Sequence, residues 1–195
     1  MGTGDTIPMT KTALILDLEG TVIESWGQPD WLNRHLEAIG NLARAHSALG
    51  PVRLGLMSWA VRDDAELSDF RSRLAGPLEQ SLGFRFDRKL TRSMNEWAEL
   101  IHRHSWPLFA PATVFHVFDK PSILFWLRRA SAALLPGRVI LVDDDVPHGD
   151  TISCEARRIE LVNVKPLAAG SEFRQSTSRL RLSCDGQLEH SGVGS

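Results

Sequence analysis

An α/β fold on a mostly parallel sheet is what the sequence predicts, and two observations predict it. Short apolar runs alternate with stretches of helical periodicity along most of the chain. Three of the runs end abruptly on polar functional groups, at Asp17, at Ser58 and at Asp143-Asp144-Asp145. Strands alternating with helices form right-handed βαβ units, and sheets of that kind bind ligands beyond the carboxyl ends of their strands.

The elements follow in order. Residues 13–17 are a short apolar run and predict a buried strand. Pro29-Asp30 opens a helical pattern with Leu32, Leu36, Ile39 and Leu42 on one face, and Gly50-Pro51 stops it. Val52 to Met57 predicts a second strand, ending at Ser58. Asp63 and Glu66 have capping-box spacing, and Leu67, Phe70 and Leu74 follow at helical intervals. Phe84 to Leu90 predicts a short strand, and residues 91–112, rich in Trp and His, carry no clear period. Lys120-Pro121 precedes a helical stretch, Ile123 to Leu135, ended by Pro136-Gly137. Arg138 to Val142 is the clearest late strand, and Arg158 to Val164 predicts one more. After Pro166 the chain turns rich in Gly and Ser, with Asp185-Gly186 as a hairpin turn, and reads as a peripheral or partly disordered tail. The domain expected is residues 1–165, with a small insert around 91–118, followed by the tail 166–195.

Composition bounds the function classes. At 195 residues one domain with an ample core is the default, and 43% hydrophobic with 24% charged residues is ordinary for a globular chain. A net charge of −2 argues against a dedicated polyanion binder and leaves room for a local basic patch. Cys154 and Cys184 are too few for a disulfide framework and lack metal-ligand spacing. The first residues have no apolar signal region, and no apolar run approaches the ~18 residues of a membrane span, so the expectation is a cytoplasmic protein without a membrane partner.

The chemistry sits at the strand ends. A buried strand that delivers Asp17 and Glu19 to its edge is costly unless a cation or a reaction uses them. Phosphoryl transfer through a covalent intermediate needs a carboxylate nucleophile, a divalent cation, donors for the phosphoryl oxygens and an acid–base group. Asp17 is the candidate nucleophile. Glu19, on the same side of an extended chain, is the candidate acid–base partner. Ser58 and Thr21 are candidate phosphate donors, Lys120 a candidate counter-charge, and Asp143 with Asp144 candidate ligands of a hard cation such as magnesium.

Residues 13–21, ALILDLEGT, resemble motif I of the haloacid dehalogenase-like (HAD) phosphotransferases, Asp-x-Asp-Gly-Thr. Ser58 after an apolar strand resembles motif II, Lys120-Pro121 resembles motif III, and VILVDDD resembles a motif IV in which a strand ends on Asp-Asp. The resemblance covers residues 13–145. It implies a three-layer Rossmannoid fold and a magnesium-dependent phosphomonoester hydrolase acting through an aspartyl-phosphate. In that scheme Asp17 is the nucleophile and Glu19 the acid–base residue, whose carbonyl also faces the metal. Lys120 is the motif III cation, and Asp17 and Asp144 join the Glu19 carbonyl as metal ligands. Two positions depart from the family pattern: Glu19 stands for the usual Asp, as in the enolase-phosphatase branch, and His148 stands four residues beyond Asp144, where an acid is common. Gly149-Asp150 is a rival motif IV set aside because Pro147 separates it from the strand end. One helix fills the space between Asp17 and Ser58, so the cap is expected to be small or absent. An open site suits a bulky substrate such as a polynucleotide end, a phosphoprotein or a large phosphometabolite.

Two other functions fit the same residues. One is a HAD-fold binding module with weak or no catalysis, and the other a nucleic-acid 3′-phosphatase, which requires a basic groove beside Asp17. Plainer roles stand beside the chemical ones. Ser58 would serve as a turn residue, Lys120 as a surface lysine opposed by its helix dipole, and Asp145 as a cap. His102, His104 and His116 lack ligand spacing, and Arg71, Arg73, Arg128 and Arg129 fit solvated helix faces. Trp97, Trp106 and Trp126 could stack a base, but packing is the simpler role.

Overall fold

The structure, a computed structural model, describes residues 11–104, 118–130, 135, 137–154, 157–170, 179–182 and 188–190. Its strands are β1 (Thr12–Leu16), β2 (Val52–Leu56), β3 (Phe86–Thr91), β4 (Arg138–Asp143), β5 (Thr151–Cys154), β6 (Arg157–Asn163), β7 (Arg179–Leu182) and β8 (Leu188–His190). They form one sheet in the order β3-β2-β1-β4-β6-β5-β7-β8. The five strands from β3 to β6 in that order are mutually parallel, and β5 runs antiparallel to β6. The helices are α1 (Asn33–Ser47), α2 (Asp64–Asp69), α3 (Ala75–Leu82), α4 (Met94–His104), α5 (Lys120–Ala130) and α6 (Val164–Ala168), with a π-helical turn, Phe70–Leu74, joining α2 to α3.

Both faces of the parallel strands are buried, and the period of two along each strand divides the core. Leu14, Leu16, Leu54, Leu56, Ile140 and Val142 pack with the apolar stripes of α1, α2 and α3. Ala13, Ile15, Val139, Leu141, Ile159 and Leu161 pack with α4 and α5 on the other side. The result is the three-layer, Rossmann-like α/β architecture expected from alternating elements. The Asp63–Glu66 capping box is formed: Asp63 accepts from the amides of Ala65 and Glu66, and the Glu66 carboxylate accepts from the Asp63 amide.

Several elements differ from the sequence expectation. The first helix starts at Asn33 rather than near Pro29, because the preceding backbone is committed elsewhere. Ile23 bridges to Glu19 and to Trp31, and the Glu24 and Leu32 amides donate to the carbonyls of Asp30 and Val22. The span expected as an insert begins with a core helix: α4 buries Trp97, whose Nε1 donates to the Leu56 carbonyl at 3.0 Å. Residues 105–117 of that span, Trp106 and His116 among them, lie outside the described residues. The sequence expectation has no β5, a strand of four residues between the Asp run and β6. The segment expected as a tail takes in the end of α6 and contributes β7 and β8 to the sheet, β7 beside β5 and β8 beside β7. Asp185-Gly186 falls outside the described residues. Among the described residues no helix is long and apolar enough to cross a membrane.

The register decides where a ligand can enter. Leu16 lies opposite both Leu56 and Val142, so β1, β2 and β4 end at one level. The chain leaves β1 toward β2 and β3 on one side and returns as β4 on the other. The β1–β4 boundary is therefore the topological switch point, where α/β sheets open a crevice.

Candidate active site

Asp17 follows directly on β1 and remains hydrogen-bonded into the sheet through its amide to the Val142 carbonyl at 3.0 Å. Asp143 ends β4, so the switch point places two carboxylates side by side. Lys120, the first residue of α5, reaches between them. Its Nζ lies 2.9 Å from Asp17 Oδ1 and 2.7 Å from Asp143 Oδ2, and all three residues are buried. Asp119 caps the helix by accepting from the Ser122 amide at 2.8 Å, which fixes the turn that aims Lys120. Burial alone pushes a lysine pKa down, but the carboxylates of Asp17 and Asp143 together more than offset it, and Lys120 is held above its usual value. Asp17 moves the opposite way from most paired acids. Burial raises its pKa, Asp143 adds to the rise, and Lys120 and the Ser58 hydroxyl only partly oppose it.

Asp144 completes the group. One carboxylate oxygen from each of Asp17, Asp143 and Asp144 lies within 4.8 Å of the others. Gly20 makes room for it. Its φ is +70°, and a Cβ built there would stand 2.4 Å from Asp144 Oδ2. The turn after Asp143 is held by the Asp145 amide donating to Asp143 Oδ1 and by the Asn163 side chain donating to the carbonyls of Asp144 and Val146. Both oxygens of Asp143 are thus engaged, whereas Asp17 Oδ1 has ion-pair contact with Lys120 and no aligned hydrogen bond. Asp17 and Asp144 are each paired with a lysine at 2.9 Å and, with Asp143, form the group of oxygens that a cation would meet.

The sequence candidates divide accordingly. Asp17, Lys120, Asp143 and Asp144 converge and line a cleft of about 480 Å³ that also takes in Asp119, Asp145 and Trp59. Ser58 is buried at the end of β2 beside Asp17, its Oγ accepting from the Ala60 amide at 3.3 Å. Thr21 is fully buried, its Oγ1 without a hydrogen-bond partner among the described residues and its carbonyl 3.1 Å from His35 Nδ1. Glu19 is not among the residues that line this cleft. The chain stops being extended after Leu16, and the amides of Thr21, Val22 and Ile23 all donate to the Leu18 carbonyl. This turn sends the Glu19 side chain to the exposed rim, where Oε1 accepts from the Trp26 amide at 2.6 Å.

Two residues of the site escape sequence reasoning. Lys165, at the start of α6, pairs through Nζ with Asp144 Oδ2 at 2.9 Å, and that hydrogen bond raises its pKa. Trp59 lines the cleft next to Ser58. A lysine after a strand that ends in Asn163, and an aromatic residue after a strand-end serine, were the signals available. Of the aromatic residues weighed from sequence, Trp97 is buried in the core and Trp126 packs edge-on against Phe118 and Phe125.

Comparison with protein-family models, with curated proteins and with solved structures gives no match to this chain.

Proposed function

We propose that the protein is a magnesium-dependent phosphomonoester hydrolase of the haloacid dehalogenase-like type, working through an aspartyl-phosphate at Asp17. The observation that carries this is the buried Lys120 bridging Asp17 and Asp143 at the switch point, with Asp144 alongside. A lysine between two carboxylates is poor evidence of a stabilising device, since desolvating three charges offsets much of their attraction. As reaction machinery the same arrangement has a use.

The donors fit magnesium. They are oxygens only, Asp17 Oδ1 lacks an aligned hydrogen bond, and two carboxylates leave positions for water and phosphate. Asp17 and Asp144 would hold the ion, with Asp143 retained on Lys120. When bound, it would neutralise phosphoryl charge in the displacement.

The protein's own groups do the rest. Lys120 orients the Asp17 carboxylate and offsets charge on the transferred group. The Asp17 oxygen attacks phosphorus, the P–O bond to the leaving group breaks, and water then hydrolyses the acyl-phosphate, returning the carboxylate. Ser58 and Thr21 donate hydroxyl hydrogen bonds to phosphoryl oxygens. Glu19 is assigned proton transfer to the leaving oxygen, which requires its carboxylate to leave the Trp26 amide. The site is open and suits a large leaving group. The cleft lining near Asp17 is rich in Asp119, Asp144 and Asp145, which does not favour the basic groove a 3′-phosphatase needs.

A second function, a phosphate-binding module on the same fold, draws support from the outward placement of Glu19. One experiment separates them. Wild type is expected to hydrolyse p-nitrophenyl phosphate only with magnesium, and Asp17→Asn to lose turnover while still binding tungstate. Full activity in Asp17→Asn, or in excess chelator, would sink the hydrolase assignment. Tungstate binding by a wild type without turnover would favour the module.

A further inference from the structure

We propose that Trp59 is the platform for a planar aromatic ring in the substrate's leaving group, so that the substrates are aryl-bearing phosphomonoesters such as nucleoside monophosphates. This rests on the hydrolase assignment for the chemistry at Asp17, and adds the substrate class.

The placement is specific. Ser58 is buried at the phosphate end, and the next side chain, Trp59, is 40% exposed. Among the described residues the other exposed large apolar side chain is Leu49, which precedes β2 at the opposite edge of the sheet. The indole lines the cleft that holds Asp17 and Lys120, and it also lines a second cleft of about 520 Å³. The two hollows meet at this residue. A leaving group extending from phosphorus at Asp17 into the second hollow must pass the indole.

The loop that presents the ring is held rigidly. The Ala60 amide donates to Ser58 Oγ, the Val61 amide to the Ser58 carbonyl, and the amides of Met94 and Asn95 to the carbonyls of Val61 and Arg62. The capping box at Asp63 fixes the chain beyond. A preordered aromatic surface loses little conformational entropy when a ring stacks on it. The second cleft supplies a wall for such a ring in Met94 and polar groups in Asn95, Asp63, Glu66 and Arg62, whose side chain is 75% exposed and lies 3.9 Å from Glu66. Stacking on an aromatic residue tolerates any base, so the structure assigns a ring and not a sequence.

The test is the selectivity ratio, kcat/KM for adenosine monophosphate over kcat/KM for glycerol phosphate, with magnesium present. Trp59→Ala is expected to lower this ratio about ten-fold or more, from the usual worth of one stacked base. Trp59→Phe is expected to keep most of it. A ratio unchanged in Trp59→Ala, with a normal melting temperature, overturns the proposal. If wild type hydrolyses neither ester, the hydrolase assignment fails, and calorimetry still decides the platform. Adenosine monophosphate then binds wild type at least several-fold more tightly than inorganic phosphate, and Trp59→Ala erases that difference. No difference in wild type overturns the platform as well.

Discussion

Replacing Gly20 by alanine tests the site through one atom. Two costs are separable. A non-glycine residue at φ +70° carries a backbone penalty of about 1–2 kcal/mol. The new Cβ would also stand 2.4 Å from Asp144 Oδ2 and 2.6 Å from its Cγ. To reach ordinary contact near 3.4 Å, that oxygen must retreat about 1 Å, and magnesium holds its ligands near 2.0–2.1 Å with little tolerance. Gly83→Ala is the control: its φ is +77°, and nothing lies within 4 Å of the built Cβ. Both variants are expected to lose about 2–8 °C in Tm, the backbone term at this chain length. Only Gly20→Ala is expected to raise the magnesium concentration for half-maximal p-nitrophenyl phosphate turnover, by roughly 10–100-fold, the usual cost of misplacing a ligand's support. Equal magnesium dependence in the two variants would refute the placement of Asp144 as a ligand over Gly20.

Two further outcomes are expected. His46 is buried beside Arg138 Nη1 at 3.4 Å, with Glu160 bound to the same arginine; burial first, then the arginine, lower its pKa, and Glu160 only partly opposes them. The unfolded chain therefore takes up a proton near pH 6.5 that the folded one refuses. Stability is full above that pH and falls as pH drops toward the lowered folded value, and His46→Leu should flatten that slope in denaturant titrations between pH 7 and 5. Lys165→Ala should lower the magnesium concentration for half-maximal turnover several-fold at low salt, because an ammonium 2.9 Å from Asp144 Oδ2 competes with a cation there; an unchanged or higher value would remove Lys165 from the metal's surroundings.

The parts of this molecule that sequence makes legible are those where an apolar run ends on a charge. Such a run can only be a buried strand, and its last residue can only lie at the sheet edge, which is why Asp17, Ser58 and Asp143 come to one edge as expected. Lys120 was readable because a lysine at a helix start needs an anion, and here it has two. A period-two argument does not reach Glu19, because the strand ends at Leu16 and three amides converge on the Leu18 carbonyl and turn the chain. Lys165 carried only the faint signal of a lysine after a strand-end Asn163, since its role depends on β6 lying beside β4. α4 and β5 were hidden for local reasons. The Trp- and His-rich stretch blurs the helical period of the first, and four residues are too few to show alternation in the second.

The charges of the site do not balance within the chain, and this bears on what it binds. Asp17, Asp143 and Asp144 face Lys120 and Lys165, which leaves one negative charge uncompensated among them, and Asp119 and Asp145 on the cleft lining add to the excess. The burden falls on Asp17, whose pKa burial and Asp143 push upward. The sign follows: an acid whose folded pKa is raised makes the fold less stable as pH rises through the window between 3.8 and that raised value. A chain selected for stability alone would do better with an amide at position 17, which keeps the shape and the Lys120–Asp143 pair while removing the excess charge. A divalent cation lightens the same burden without losing the Asp17 carboxylate, and it makes the local charge less negative by two. A phosphomonoester dianion then meets a much weaker repulsion than it would without the cation. Metal before substrate is the order of binding that these charges favour, and inorganic phosphate should therefore protect the fold against heat only when magnesium is also present.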